Sequence, residues 1–298
     1  MAGAAHDAGY DDRYRVAARA LRARMVRRIV AGGGLTDPAW RAAFTEVPRH
    51  LFVLGYGLDE PPEDARDPRS RLRRLASAYA DRPIATHMSG GELVSSSSQP
   101  SLMARMCQAL DVLDGHRVLE IGAGTGYNAA LLAHRLGPGA VTTIDLDEEI
   151  TAAARAHLAA YGTPAARAVA VVTGDGVLGH APRAPYDRIV VTCGMPAIPA
   201  AWLEQCRPGG LVLAPVATGL VVLTVHGPGR AEGRFLHTPA YFVPLRGAAA
   251  GSAHVRLGDA LFGGRHPDRS RYGMSVDGAR QWLWLDDPRG PDTWSITG

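Results

Sequence analysis

Short apolar runs and helical segments alternate between residues 117 and 216, and this alternation limits the possible folds more than any other feature of the chain. The helical segments cover residues 128–135, 148–161 and 200–206. The apolar runs are rich in β-branched residues and cover residues 117–121, 141–145, 169–173, 188–192 and 211–216. Strands separated by helices at this spacing form βαβ units, so the pattern predicts a largely parallel sheet with helices on both faces. Residues 220–225 and 234–243 have no helix between them and predict an antiparallel edge of the same sheet.

The residues that precede this sheet predict helices. Residues 13–31 carry Leu21, Met25 and Ile29 at positions i, i+4 and i+8, and the pattern stops at three consecutive glycines. We interpret the arginines at 13, 15, 19, 22, 24, 27 and 28 as the solvated face of this helix, with a patch that attracts acidic substrates as the alternative. A second helix is predicted to begin at Pro38. Residues 57–74, rich in Pro, Asp and Arg, predict a mobile loop.

The composition excludes several classes of protein. Hydrophobic residues make up 46% and charged residues 20% of the 298 residues, which is typical of a soluble globular chain. The net charge of +3 is too small to indicate nucleic-acid binding. The longest apolar run is far too short to span a membrane, and the first residues lack the pattern of a secretion signal. Three scattered cysteines show no metal-ligand or redox spacing, so we expect a cytoplasmic protein without a metal.

Residues 118–127, VLEIGAGTGY, form the strongest motif. An apolar strand runs into Gly122, Gly124 and Gly126, and a helix follows, so the backbone can turn sharply and approach a ligand closely. Asp145 ends the next strand, where a carboxylate can accept hydrogen bonds from both hydroxyls of a ribose. A dinucleotide loop would need glycine at position 127, where this chain has tyrosine. The glycine spacing with the acidic residue Glu120 before it is similar to motif I of methyltransferases.

Residues 174–216 closely resemble the protein-L-isoaspartate O-methyltransferase family, and so do residues 47–53, 78–83, 98–100 and 242–245. The resemblance runs from about residue 13 to about residue 246. It implies a Rossmann-like class I methyltransferase fold that uses S-adenosyl-L-methionine. It also implies methyl transfer to an Asp or isoAsp carboxylate, whose ester then collapses to a succinimide. By position, Ser98 matches the family's active-site serine, while Asp145 and Asp175 match its ribose and adenine contacts.

The motifs and the resemblance together define the candidate site. A carboxylate is already ionised at neutral pH, so a hydroxyl that orients it is sufficient and no general base is required. Ser98 is the candidate catalytic residue, with capping of the helix that begins near Pro100 as an alternative or additional role. The candidate cofactor-binding residues are Ser97, Glu120, Gly122, Ala123, Gly124, Thr125, Gly126, Tyr127, Asn128, Asp145, Leu146, Gly174, Asp175, Gly176 and Thr192. The candidate substrate-binding residues are Ser96, Ser97, Ser98, Gln99, Pro100 and Arg246.

Three features depart from the family pattern. Where the family has T-I-S-Q-P, this chain has SSSQP at residues 96–100, and its serines belong to a run of four, residues 95–98. This serine run is either part of the pocket or a flexible linker. Residues 57–74 are an insertion, and about fifty residues follow residue 246. This extension holds Trp282, Trp284 and Trp294, which either pack onto the core or bind a peptide. We therefore divide the chain into an N-terminal helical segment (1–98), a cofactor-binding core (99–246) and a C-terminal extension (247–298).

These departures resemble the family members that act in the maturation of ribosomally made peptides, such as lanthipeptides and graspetides. The expected partner is then a peptide or protein carrying Asp or isoAsp, including a cyclised precursor peptide, and the chain is expected to be a monomer or weak dimer. General repair of isoaspartyl proteins is the alternative within the family. Outside it, a non-catalytic scaffold is disfavoured by the intact glycine and aspartate positions. A nucleobase methyltransferase is disfavoured because Pro61-Pro62 is followed by Glu63 rather than by an aromatic residue.

Overall fold

The computed structural model describes residues 2–54, 56, 67–247 and 267–296, without the side chains of residues 2–12 and 68. Among these residues one large sheet has the strand order β12-β11-β10-β9-β8-β7-β6-β3-β4-β5. Its parallel part comprises β3 (Val118–Ile121), β4 (Val141–Asp145), β5 (Ala170–Thr173), β6 (Tyr186–Val191) and β7 (Cys206–Val216). The predicted α/β fold with a parallel core and antiparallel strands beside it is confirmed.

Helices cover both faces of the parallel strands. The first face packs against α5 (Pro100–Ala109) and α6 (Tyr127–Leu136), and α9 (Ala200–Gln205) packs on the second. Side chains of β3 alternate between the two buried clusters, with Val118 in the first and Leu119 in the second. The remaining helices of the core are α7 (Glu148–Tyr161) and α8 (Pro164–Arg167). The described helices include none that is long and apolar enough to cross a membrane.

Four helices precede the core: α1 (Ala2–Ala31), α2 (Pro38–Glu46), α3 (His50–Val53) and α4 (Pro68–Ala78). Met25 and Ile29 are buried, and six of the seven arginines of α1 are exposed, so its solvated face is confirmed. The predicted start of α2 is also confirmed, because the Asp37 carboxylate accepts a hydrogen bond from Ala39 N at 2.7 Å.

The prediction of a loop over residues 57–74 is wrong for its second half. Residues 68–74 belong to α4, because the Asp67 carboxylate accepts hydrogen bonds from the amides of Arg69 and Ser70, and Pro68 occupies the first helical position. Residues 57–66 lie outside the described residues.

A hairpin stands apart from the large sheet. Its strands β1 (Ile84–Ser89) and β2 (Glu92–Ser97) pair only with each other among the described strands. Ser95 and Ser97 in β2 are buried, so the serine run is strand rather than flexible linker. Because β2 leads directly into α5, the hairpin carries the serine run to the edge where the parallel strands end.

The antiparallel part of the sheet extends further than predicted. After β8 (Gly219–Gly227) and β9 (Arg230–Pro239), the extension adds β10 (Tyr272–Asp277), β11 (Arg280–Leu285) and β12 (Thr293–Ser295). The predicted strand over residues 234–243 is too long, because β9 ends at Pro239.

The tryptophans of the extension contact the sheet. Trp284 is 3% exposed and donates a hydrogen bond from Nε1 to Ser275 Oγ at 2.9 Å. Trp294 packs against the second buried cluster. The Gln281 side chain bonds to both the amide and the carbonyl of Ile198. These contacts support the packing hypothesis, while the domain boundaries at residues 98 and 246 stay predictions.

Candidate active site

A cleft of about 900 Å³, including its open mouth, lies at the carboxyl ends of β3, β4 and β6. This is the edge at which ligands bind in open parallel sheets, because the loops that follow neighbouring strands diverge there. The described lining residues come from the serine run, the glycine loop after β3, the end of β4 and the segment 243–246. Gly194 holds that last segment in place, since its amide donates to Val243 O and its carbonyl accepts from Leu245 N.

The glycine loop adopts a backbone that side chains would not permit. Gly122, Gly124 and Gly126 have φ angles of +95°, +49° and +81°. A Cβ added to Gly122 would lie 2.5 Å from Thr192 Oγ1, which itself donates a hydrogen bond to Gly122 O at 2.8 Å. The loop thus leaves its backbone open to the cleft, as a ligand that approaches the main chain requires.

Asp145 ends β4 inside the cleft. Its Oδ2 accepts a hydrogen bond from Gly124 N at 3.2 Å, and its Oδ1 accepts one from Asp147 N at 3.4 Å. Burial raises the pKa of this carboxyl, and the hydrogen bonds from backbone amides oppose that shift. Because each oxygen can accept more than one hydrogen bond, the carboxylate can also receive the two hydroxyls of a ribose.

Glu120 is the most deeply buried acid of the cleft, with 0% of its surface exposed. Asn128 Nδ2 donates to its Oε1 at 2.7 Å, whereas Oε2 makes no hydrogen bond of normal geometry among the described residues, although the Thr143 hydroxyl on the neighbouring strand lowers the pKa of this carboxyl. Burial raises the pKa of this carboxyl to about 7. An unpaired buried carboxylate oxygen costs free energy because it has lost its hydration, and a cationic group in the cleft would offset that cost. These residues therefore fit a ligand that carries both an ammonium group and a ribose.

The serine run forms the opposite wall of the cleft. Ser95 Oγ accepts a hydrogen bond from Thr86 Oγ1 at 2.9 Å, and this serine lies 3.7 Å from the Cβ position of Gly124. Ser98 lines the cleft, but it does not cap α5: the N-cap residue is Gln99, which makes no side-chain cap. Asp81 takes over that function, since its Oδ1 accepts from Ser101 N at 2.8 Å.

Arg246 is the only arginine among the described lining residues. Its side chain is 35% exposed, and Nη2 lies 4.0 Å from Asp147 Oδ2. His87 Nε2 lies 3.9 Å from the same Asp147 carboxylate and 4.0 Å from that of Glu149. The mouth of the cleft thus carries a partly exposed cation, while its buried part carries carboxylates.

The family model for protein-L-isoaspartate(D-aspartate) O-methyltransferase matches residues 68–247, more than half of the chain. The chain belongs to this family. Curated relatives named protein-L-isoaspartate O-methyltransferase agree. The one from Methanoregula boonei is 41% identical over 230 residues, covering 76% of this chain and 93% of the relative. The one from Methanopyrus kandleri is 38% identical over 236 residues, covering 77% of this chain and 92% of the relative.

Solved structures show the same fold. A protein-L-isoaspartate O-methyltransferase structure matches with a TM-score of 0.63 at 24% identity, covering 93% of this chain and 87% of that one. A Plasmodium falciparum structure described in complex with S-adenosyl-L-homocysteine matches with a TM-score of 0.56 at 15% identity, covering 77% and 98%. At these identities the likeness shows the fold alone. As a family member the chain is an S-adenosylmethionine-dependent carboxyl methyltransferase.

The cleft brings together most of the residues that the sequence nominated for the methyltransferase site. It is lined by Ser96, Ser97, Ser98, Glu120, Gly122, Ala123, Gly124, Thr125, Tyr127, Asn128, Asp145, Leu146, Gly176, Thr192 and Arg246. Five nominated residues are not among the lining: Gln99, Pro100, Gly126, Gly174 and Asp175. Gly126 instead packs on Ala154, and the Asp175 carboxylate accepts a hydrogen bond from Val177 N at 2.9 Å.

Sequence reasoning missed several residues that line the methyltransferase cleft. Met103 and Met106 reach it from α5, and their spacing of three residues on a predicted helix is the signal that would have found them. Cys193 lies two residues after the end of β6, and its burial raises its pKa, so its thiol stays protonated. Arg49, in the family segment 47–53, contacts the serine run without lining the cleft.

Proposed function

We propose that the chain methylates the free carboxylate of isoaspartyl residues in proteins and peptides. The observation that carries this proposal is one cleft that combines the open glycine loop, the buried carboxyl of Glu120, the half-buried carboxyl of Asp145 and the serine run. The family assignment sets the reaction, and the curated relatives are named for the isoaspartyl substrate. The cytoplasmic location and the monomeric or weakly dimeric state stay predictions.

The cofactor roles follow from the groups that the cleft offers. The glycine loop receives the cofactor against its backbone, and Asp145 accepts the ribose hydroxyls. The free oxygen of Glu120 pairs with the methionine ammonium. Asp175 is proposed for the adenine amino group by its family position alone, since its described contact is within its own turn.

The reacting groups need little help with protons. The bound cofactor supplies a methyl group activated on a sulfonium sulfur. Transfer of that methyl group to a carboxylate oxygen of the substrate would leave a neutral ester and a neutral thioether. Ser98 orients the carboxylate by donating its hydroxyl, and Arg246 attracts the anion to the mouth of the cleft. Both reacting charges disappear in this step, so a water-poor cleft favours it.

A narrower substrate, one Asp in a peptide made for further processing, is a second candidate. Its support is the stretch after residue 247, which lies beyond the matched family region, together with the guanidinium of Arg246. The described part of that stretch packs as sheet strands, and the curated relatives are named for isoaspartate. We therefore rank isoaspartyl methylation first. Assays with paired peptides that differ only in Asp or isoAsp separate the two candidates.

The proposal is tested with Ser98→Ala and an isoaspartyl peptide. We expect kcat to fall about 10- to 100-fold, because the acceptor loses its orienting donor, while the Kd for S-adenosylhomocysteine stays within about twofold. Ser89→Ala, at an exposed position of the same hairpin, is the matched control and should keep the wild-type kcat. If the wild-type enzyme transfers no methyl group to isoaspartyl peptides, the proposed function is wrong.

A further inference from the structure

Arg49 is a fully buried cation behind the serine run. Its surface is 0% exposed, and its guanidinium lies 6.0 Å from the centre of the Tyr127 ring. Nη1 donates to Ala78 O at 2.7 Å, and Nη2 donates to Ser98 O at 3.2 Å and to Ser97 Oγ at 3.4 Å. One side chain therefore joins the end of α4 to the serine run.

The same guanidinium also reaches the start of the hairpin. Nη1 lies 3.4 Å from Ala80 O, and Nη2 lies 3.5 Å from Arg82 O. Residues 80–82 lead into β1, and Ser98 follows β2, so Arg49 holds both ends of the hairpin. The hairpin is outside the large sheet, so these bonds supply attachment that sheet pairing does not. The planar fork of arginine carries five donors in a fixed geometry, so it can direct several of them to carbonyls on two segments at once.

Stability alone does not explain this residue. Its recorded hydrogen-bond acceptors are neutral, and Nε has no partner among the described residues. Burial lowers the pKa of Arg49 to about 10, so it stays charged near neutral pH in spite of the desolvation. Apolar residues of similar volume are often at least as stabilising at such positions, so a buried charge suggests a requirement beyond stability.

We propose that Arg49 is a positioning residue for methyl transfer. By fixing the carbonyl of Ser98 and the hydroxyl of Ser97, it sets the direction in which the Ser98 hydroxyl meets the acceptor carboxylate. This inference depends on the proposed role of Ser98. It predicts a larger loss in kcat than in cofactor affinity, because Arg49 contacts Ser97 and Tyr127 among the candidate cofactor-binding residues but makes no recorded hydrogen bond to Glu120 or Asp145.

The test compares Arg49→Lys with Arg188→Lys. Arg188 is also buried, at 7% exposure, and donates to the carbonyls of Leu110 and Asp111, but it does not line the cleft. Both variants should lose thermal stability to a similar degree, since lysine replaces several directed hydrogen bonds by a single point charge. Only Arg49→Lys should lower kcat, by about 10- to 100-fold, with the Kd for S-adenosylhomocysteine within about twofold of wild type.

Each outcome decides the matter. A wild-type kcat in folded Arg49→Lys, or a parallel loss of cofactor affinity, overturns the positioning role. If Arg49→Lys does not fold, Asp81→Asn serves instead. Asp81 is exposed and lies between the two residues, 80 and 82, whose carbonyls face Arg49, and its carboxylate accepts hydrogen bonds from Gln99 and Ser101. The substitution should therefore lower kcat in the same way, and an unchanged kcat overturns the proposal. An inactive wild-type enzyme would refute the proposed function instead, so the two failures are distinguishable.

Discussion

Replacing Glu120 by Gln should stabilise the cofactor-free protein and weaken its binding of cofactor. The carboxyl is fully buried, and burial raises its pKa from 4.5 to about 7, with the side chains of Thr143 and Asn128 offsetting part of the shift. Above pH 7 the folded protein must hold this charge in the cleft, whereas the unfolded chain exposes it to water. Glutamine keeps the shape and removes the charge.

The magnitude follows from the two pKa values. Because the folded pKa is the higher one, folding is unaffected by this group below about pH 4.5, where both states are protonated. The destabilisation grows as the pH rises towards 7 and reaches about 3 kcal/mol above it. At pH 5.5 it is only about 1 kcal/mol. The stability gained in Glu120→Gln should therefore be about 2 kcal/mol larger at pH 8 than at pH 5.5, or about 4 °C in Tm.

Cofactor affinity should change in the opposite direction. The amide cannot pair with the methionine ammonium as a carboxylate does, and the lost charge-assisted hydrogen bond costs about 2 kcal/mol. This corresponds to a Kd for S-adenosylhomocysteine about 25-fold weaker at pH 8. Calorimetric titration measures the Kd, and thermal unfolding without cofactor at pH 5.5 and 8 measures the stability.

The matched control for this experiment is Glu204→Gln on α9. Glu204 is exposed, so this variant should keep the wild-type Kd for S-adenosylhomocysteine and the wild-type dependence of stability on pH. An unchanged Kd in Glu120→Gln would refute the ammonium contact. A Tm below that of the wild type at pH 8 would refute the cost assigned to the buried charge.

Two further substitutions test the cofactor site and the extension. Asp145→Ala should raise the Kd for S-adenosylhomocysteine about 10- to 100-fold in titration, since both proposed ribose hydrogen bonds are lost. An unchanged Kd would exclude Asp145 from the site. Trp284→Ala should lower the free energy of unfolding by about 3 to 5 kcal/mol in urea, because a buried ring under Arg234 is removed, with KM for the peptide unchanged. A raised KM at wild-type stability would instead indicate that this tryptophan binds substrate.

The parallel core could be predicted because its central strands, β3, β4 and β6, are buried on both faces. Such strands are continuous apolar runs, as in residues 186–191, and each is bounded by a helix with its own periodicity. The glycine loop and Asp145 follow from the same pattern, since both lie at the carboxyl ends of neighbouring parallel strands. The start of α4 could also have been predicted, because Asp67-Pro68 repeats the signal that Asp37-Pro38 gives for α2.

The sequence pattern did not predict the strands of the extension, because buried polar residues interrupt their apolar runs. Ser275 and Gln281 interrupt the apolar pattern of β10 and β11, yet both are buried. Their partners are Trp284 and Ile198, and Ile198 is 83 residues away from Gln281 in sequence. A polar residue whose partner is so distant looks like a surface residue in the sequence. Local patterns therefore failed where tertiary hydrogen bonds replace apolar contacts.

The distribution of charge in the cleft connects these residues to the proposed reaction. The carboxyl groups of Glu120, which is buried, and Asp145, which is half-buried, disfavour an anion beside them, while Arg246, whose Nη2 lies 4.0 Å from Asp147 Oδ2, is proposed to attract one at the mouth. The proposed roles place an acceptor carboxylate at the mouth, next to the serine run, and a cationic donor further in. The two reactants carry opposite charge, so the electrostatic potential of the cleft favours a different position for each. A catalytic base would add nothing, since the acceptor arrives ionised, and the enzyme's remaining task is the alignment that Ser98 and Arg49 are proposed to provide.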